Sequence, residues 1–160
     1  MLYTPRKTEN TNPDEVLYLS LEPVIRGMGM NLVELSLFRG KGRGGKPGSV
    51  QIKAVVCREG AIGLGDCSRV HYGILPRLEL AFPGQDIYLE VSSPGIDRNI
   101  KDAGEFTFYI GKAIKCYRTD ISDWTAGILK AADEKNIVLR ADDGETVVPY
   151  EVIAKARLNG

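Results

Sequence analysis

In RGKGRGGK, residues 39–46, the cations Arg39, Lys41, Arg43 and Lys46 are interleaved with glycines. Glycine lets a backbone approach a phosphate closely, and cations neutralise its charge. Gly40, Gly42 and Gly45 satisfy the spacing G-x-G-x-x-G, and Gly40, Gly45 and Lys46 nearly satisfy that of a P-loop, with Pro47 where Ser or Thr should follow. A nucleotide-binding enzyme using residues 40–46 is therefore the first chemistry to weigh. Both fingerprints need the glycines to run into a helix whose N-terminal amides face the phosphate. Here the flanking segments alternate instead: Val33, Leu35 and Leu37 stand against Glu34 and Ser36 on one side, and Val50, Ile52, Ala54 and Val56 share a face on the other. A strand enters the loop and a strand leaves it, so the loop reads as an exposed hairpin tip.

No other residues assemble into a catalytic set. His71, the only histidine, lies one position off the apolar stripe of a helix, away from any recognisable nucleophile context. Cys57, Cys67 and Cys116 are odd in number and lack CxxC spacing, which argues against a disulfide framework and a zinc site and fits a reducing cytoplasm. Asp142, Asp143 and Gly144 have the chemistry of a hairpin turn, not of an acid/base pair. The expectation is a protein that is not an enzyme and needs no cofactor or metal.

The elements that carry these residues follow from the periodicities. Lys plus Arg and Asp plus Glu are equal at 21 each, so any electrostatic partner must be met by a local patch such as the loop at 39–46. Apolar residues make up 43% and charged ones 26%, which is ordinary globular usage. The N-terminus has no apolar signal-like run, and no later run is long enough to cross a bilayer, which predicts a soluble, unsecreted chain.

Residues 1–12 lack periodicity and are expected to be flexible, with Asn12 capping a helix that starts at Pro13. That helix carries Val16, Leu17, Leu21, Val24 and Ile25 on its apolar stripe and stops near Gly27 or Gly29. A second helix runs to about Ala81 with Cys67, Val70, Ile74, Leu75 and Leu78 on one face, Asp66 at its start and Leu64 stapling its beginning. DIYLEVSS is a third strand. Residues 13–92 thus form an N-terminal α/β domain, ordered helix–strand–strand–helix–strand. From 93 to 160 one short helix, DAGEFTFYI, is followed by short strands separated by Asp, Asn and Gly turns, the rhythm of a small antiparallel barrel.

The join between these halves is the most unusual segment. In LEVSSPGIDRNI, Pro94 pushes Ser93 extended, Pro94 and Gly95 suit the centre of a type II turn, and Asp97 and Arg98 add an acceptor and a fork of donors. The segment is expected to set the angle between the domains and to offer Ser92, Ser93, Asp97 and Arg98 to a partner.

LEVSSPGIDR resembles the central signature of the bacterial RimP family of ribosome maturation factors. GMGMNLVELSLFRG, GAIGLGDCSRVHYGIL and VIAKARL resemble further segments of it, so that the likeness runs over about residues 14–158. The chain departs from the family's usual pattern at Asn99 and Ile100, in place of Pro-Leu, in the low charge of EFTFYI, and in a longer and more basic first hairpin loop. The resemblance implies an α+β protein whose second domain is an SH3-like (Sm-like) barrel. It also implies a cytoplasmic, non-enzymatic role in assembly of the immature small (30S) ribosomal subunit, with ribosomal protein twelve of that subunit as a partner; 16S ribosomal RNA is a further candidate partner, its direct contact left open by the sequence. Under that reading Arg39, Lys41, Arg43 and Lys46 are candidates for RNA phosphate contacts, and a monomer is expected. A general RNA-binding protein is the third reading; it predicts similar affinity for any structured RNA.

Overall fold

A computed structural model describes residues 13–60 and 62–160; the expected flexible stretch 1–12, with the capping residue Asn12, lies outside the described residues. The described chain divides into two compact units between Pro94 and Gly95. Together they form a mixed α+β protein with two separate sheets.

The N-terminal unit runs α1 (Pro13–Gly27), β1 (Asn31–Gly40), β2 (Ser49–Cys57), α2 (Leu64–Ala81) and β3 (Asp86–Ser92), the order read from periodicity. Its sheet has the order β1-β2-β3, antiparallel between β1 and β2 and parallel between β2 and β3. Leu17, Leu21 and Ile25 of α1 and Val70, Ile74 and Leu78 of α2 are buried with Val50, Ile52, Ala54 and Val56 of β2, so the helical and strand periods converge on one core. The Tyr18 hydroxyl donates to the Leu32 carbonyl, and Arg69 donates to the Met28 carbonyl at 2.8 Å. These bonds tie α1 to β1 and α2 to the α1–β1 connection. Pro23 and Pro76 are both accommodated within their helices.

Three local expectations change. Val16 is exposed, which narrows the α1 stripe. Leu64 is the first residue of α2 and 89% exposed, so it staples nothing; Asp66 instead accepts from the Gly63 amide at 3.0 Å, and that bond together with Arg58 and Arg69 holds its carboxyl below the usual range. The simple alternation of β1 breaks because its register with β2 shifts between Leu32 and Glu34, so that Leu32 and Val33 are both buried.

The C-terminal unit begins with a 3-10 segment, Ala103–Tyr109, followed by β4 (Ala113–Arg118), β5 (Asp123–Ala132), β6 (Asn136–Ala141), β7 (Gly144–Pro149), a 3-10 turn at Tyr150–Val152 and β8 (Ile153–Leu158). The strands pair antiparallel in the order β7-β6-β5-β4-β8. Ile114, Cys116, Leu129, Ile137, Leu139, Val148, Ile153, Ala156 and Leu158 are buried, as alternation requires. Phe106 and Tyr150 stack at 5.7 Å beneath them. Asp142 and Asp143 close the β6–β7 hairpin, with Ala141 paired to Gly144 at φ 121.

Gly127 lies tight against β6: a Cβ placed there would lie 2.7 Å from the backbone oxygen of Arg140. The neighbour is backbone, so it has little freedom to yield. Gly127→Ala is expected to cost about 1–3 kcal/mol by forcing the strands apart, read as a lower urea midpoint. An unchanged midpoint would mean that the sheet relaxes freely at this position.

Candidate functional site

The basic hairpin tip is held by its strands: Gly40 pairs with Ser49, and β2 follows directly. Because a strand follows the glycines, there is no helix N-terminus to receive a nucleotide's phosphates. Gly44 at φ 60 and Gly45 at φ 76 make the turn, closed by the Lys46 amide donating to the Arg43 carbonyl at 3.1 Å. Lys41, Arg43 and Lys46 are exposed. Arg39, at the end of β1, sets its guanidinium 5.6 Å over the Phe82 ring. The four cations therefore form a solvent-facing patch, with Arg39 steadied by an aromatic base.

The segment singled out at the join is built differently from the expectation. Gly95 lies outside the left-handed region, and the Arg98 amide donates to its carbonyl at 3.0 Å. The hydrogen-bonded turn is therefore centred on Ile96 and Asp97, not on Pro94 and Gly95, and it is not a type II turn. The shift arises because the chain after the turn is captured by β8: Leu158 donates to the Arg98 carbonyl at 2.9 Å, and Ile100 donates to Ala156 at 2.9 Å. Ser92 ends β3 half-buried, while Ser93 and Asp97 are exposed.

Arg98 does not extend a free fork of donors. Its Nε lies 2.6 Å from Glu105 Oε1, with the arginine side chain 11% exposed and the glutamate 1%. The Tyr109 hydroxyl donates to the same oxygen at 2.8 Å, and the Lys101 amide donates to Oε2 at 3.0 Å. Asp102 sets the geometry by accepting the Glu105 amide at 2.9 Å, which caps the 3-10 segment. Glu105 thus receives charged and neutral donors in a dry site, the condition under which a buried carboxylate is tolerated. Sequence reasoning missed it because a lone Glu in EFTFYI carries no burial signal. The one available hint was its position three residues after the cap Asp102.

Also unanticipated is a cluster on the outer face of the C-terminal sheet. Lys115 Nζ lies 5.2 Å, and Arg157 Cζ 5.5 Å, from the centroid of the Trp124 ring, which Tyr117 meets edge-on at 5.6 Å. Alternation in KAIKCYR and IAKARL puts these side chains on polar strand faces, but their meeting requires the pairing of three strands.

The remaining chemistry-bearing residues do not converge. His71 meets Tyr72 edge-on at 5.2 Å on α2. Cys67 and Cys116 are free thiols; burial raises the pKa of Cys67 and pushes Cys116 up to about 11, which keeps both protonated and poorly nucleophilic at neutral pH. Among the described residues no group of His, Cys, Asp and Glu is placed to hold a metal, and no helix is long and apolar enough to cross a membrane.

Against known proteins, residues 20–97 match the family model described as the RimP N-terminal domain. That span runs from the middle of α1 through β3 to the SSPG string. The protein named Ribosome maturation factor RimP from Borrelia hermsii is 28% identical over 143 residues, covering 89% of this chain and 94% of that protein. The match therefore continues through the C-terminal strands as well as the N-terminal unit. A helix–strand–strand–helix–strand unit followed by SSPG and joined to an antiparallel five-stranded unit makes the chain similar to the RimP family along nearly its whole length.

Proposed function

We propose that the chain is a ribosome maturation factor that acts as a binding module: it docks on the immature small ribosomal subunit and favours a productive arrangement of RNA and protein without covalent chemistry. The match to a ribosome maturation factor over 89% of the chain carries this reading. The exposed cations of the hairpin tip agree with a polyanionic partner. Small-subunit ribosomal protein twelve and 16S ribosomal RNA are the partners proposed, with the protein acting as a cytoplasmic monomer. The finer fold reading, an SH3-like (Sm-like) barrel for the C-terminal unit, is supported by a strand order in which the last strand lies beside the first and by the close approach at Gly127. Ser92, Ser93 and Asp97 are the contact candidates of the join; Arg98 is reassigned to holding Glu105.

A factor that only binds shifts an equilibrium by its difference in affinity for two states. The protein is therefore expected to co-sediment with free small subunits in preference to whole ribosomes, and equal occupancy of both would sink the proposal. Competition by unrelated structured RNA would instead favour general RNA binding. Replacing Lys41, Arg43 and Lys46 together with Gln is expected to leave stability within about 0.5 kcal/mol. It is expected to weaken docking and to reduce the salt slope of log K by roughly 0.7–0.9 for every phosphate no longer neutralised. An unchanged slope removes the loop from the interface.

A further inference from the structure

The outer face of the C-terminal sheet brings cations and rings together in an arrangement that folding alone does not favour. Register pairs Lys115 of β4 with Arg157 of β8 on one side and Ala126 of β5 on the other; two residues on, Tyr117 pairs with Lys155 and Trp124. Ile114 and Cys116 of β4 and Ala156 and Leu158 of β8 point into the core, so Lys115, Tyr117, Lys155 and Arg157 all point out. Like charges directly opposite one another on paired strands destabilise a sheet, yet Lys115 faces Arg157. Among the described residues neither these two nor Lys155 is paired with a carboxylate. Lys115 and Arg157 both lean on one indole, which remains 40% exposed. The Arg157 Nε is buried without a hydrogen-bond partner. A concentration of one charge balanced by no carboxylate, and within the described residues only by the indole, marks a surface suited to an external anion.

We propose that this face binds single-stranded RNA, with an unpaired base stacked on Trp124 beside Tyr117 and the adjoining phosphates held by Lys115, Lys155 and Arg157. The rings decide between RNA and an acidic peptide. Carboxylates would satisfy the cations but leave the indole and phenol without a flat partner, whereas each nucleotide brings one π-face and one phosphate. An exposed cation–ring contact is weaker than the stacking of a base on the same ring. An incoming base therefore displaces the cations from Trp124, and its phosphates receive them. Lys155 and Arg157, two residues apart on one strand, stand about 6.6 Å apart along it, so they can follow successive positions of an extended backbone. The inference rests on the ribosomal reading only for the biological source of the RNA.

Trp124 is the only tryptophan of the chain, so emission excited selectively at the indole reports on this site alone. The full chain is titrated with a single-stranded oligoadenylate, an RNA duplex of equal charge and polyglutamate. Saturable quenching by the oligoadenylate, absent with the other two, is expected. With fluorescently tagged oligoadenylate read by anisotropy, Trp124→Leu is expected to weaken binding roughly 5- to 150-fold, and Trp124→Phe to restore most of it. Lys115→Gln with Lys155→Gln is expected to lower the salt slope by roughly 0.7 for each phosphate that the two lysines neutralise in the parent. The proposal is overturned if polyglutamate binds as well as the oligoadenylate, or if emission and affinity do not respond to the base and the Trp124 variants. Small-subunit co-sedimentation that persists without any oligoadenylate effect sinks this inference and leaves the ribosomal reading standing. Quenching without co-sedimentation sinks the ribosomal reading and supports this one.

Discussion

Arg98→Ala is expected to destabilise the C-terminal unit by about 3–5 kcal/mol, because it removes the guanidinium that holds the buried carboxylate of Glu105. The Tyr109 hydroxyl and the Lys101 amide would still donate to that carboxylate, but neither replaces a positive charge at 2.6 Å. Since a whole domain is stable by only about 5–15 kcal/mol, the loss is large enough to lower the melting temperature by many degrees and to mimic a binding defect at physiological temperature. Replacing the pair together, Arg98→Met with Glu105→Leu, is expected to recover much of the loss, since an apolar pair of similar volume avoids desolvating either charge. Urea unfolding followed by Trp124 emission measures both. If Arg98→Ala unfolds at the parent's midpoint while docking weakens, the guanidinium is a partner contact and its structural role is wrong.

The same unit is expected to lose stability sharply on the alkaline side. Burial pushes the Cys116 thiol from 9.0 up to about 11 and the Tyr150 phenol from 10.0 up to about 12. Cys116 is fully buried in β4, and Tyr150 stacks on Phe106 while donating to the Asp133 carbonyl at 2.7 Å. Both groups are neutral when protonated, so a raised folded pKa means that the unfolded chain releases its proton first. The stabilisation is complete below the unfolded pKa and is lost as pH rises through the folded one. The window therefore opens near pH 9 with Cys116 and closes near pH 12 with Tyr150. A shift of this size corresponds to a loss on the order of 2–3 kcal/mol per group. Urea midpoints measured from pH 8 to 12 should fall steeply in the parent. Cys116→Ala should flatten the early part of that fall and Tyr150→Phe the later part, each from a lower starting stability. A parallel fall in all three proteins would assign alkaline unfolding to other groups.

At acid pH a smaller contribution has the opposite sign. Asp133 accepts from the Lys135 and Asn136 amides at 2.7 Å each, which holds its carboxyl below the ordinary range. What it adds to the β5–β6 turn is present above the unfolded pKa and disappears as pH falls through the lowered one.

The amino-acid sequence by itself determined whatever a local rule decides. The 3.6-residue spacing of Leu17, Leu21 and Ile25 and of Val70, Ile74 and Leu78, and the two-residue alternation of β2 and β4, identify both the elements and their buried faces, because each period follows from backbone geometry within one segment. The strands on both sides of the basic loop were enough to rank a hairpin tip above the nucleotide reading. The SSPG-x-DR string pointed to the family whose N-terminal domain model matches residues 20–97 and whose named member is similar over 89% of the chain.

Only the tertiary structure could decide what depends on partners distant in the chain. The turn moved to Ile96 and Asp97 because the backbone at 96–100 bonds with β8 and the residues just after it, 156–160, an attraction absent from any local window. Arg98 looked like a surface donor and is a buried one, because Glu105, unremarkable in its own segment, is carried inward by a 3-10 segment whose Phe106 and Tyr109 must fill the core. Lys115, Tyr117, Trp124, Lys155 and Arg157 belong to three strands, and alternation tells only that each faces outward. That they share one patch is a matter of register, set by hydrogen bonds between strands that lie up to about forty residues apart in the chain.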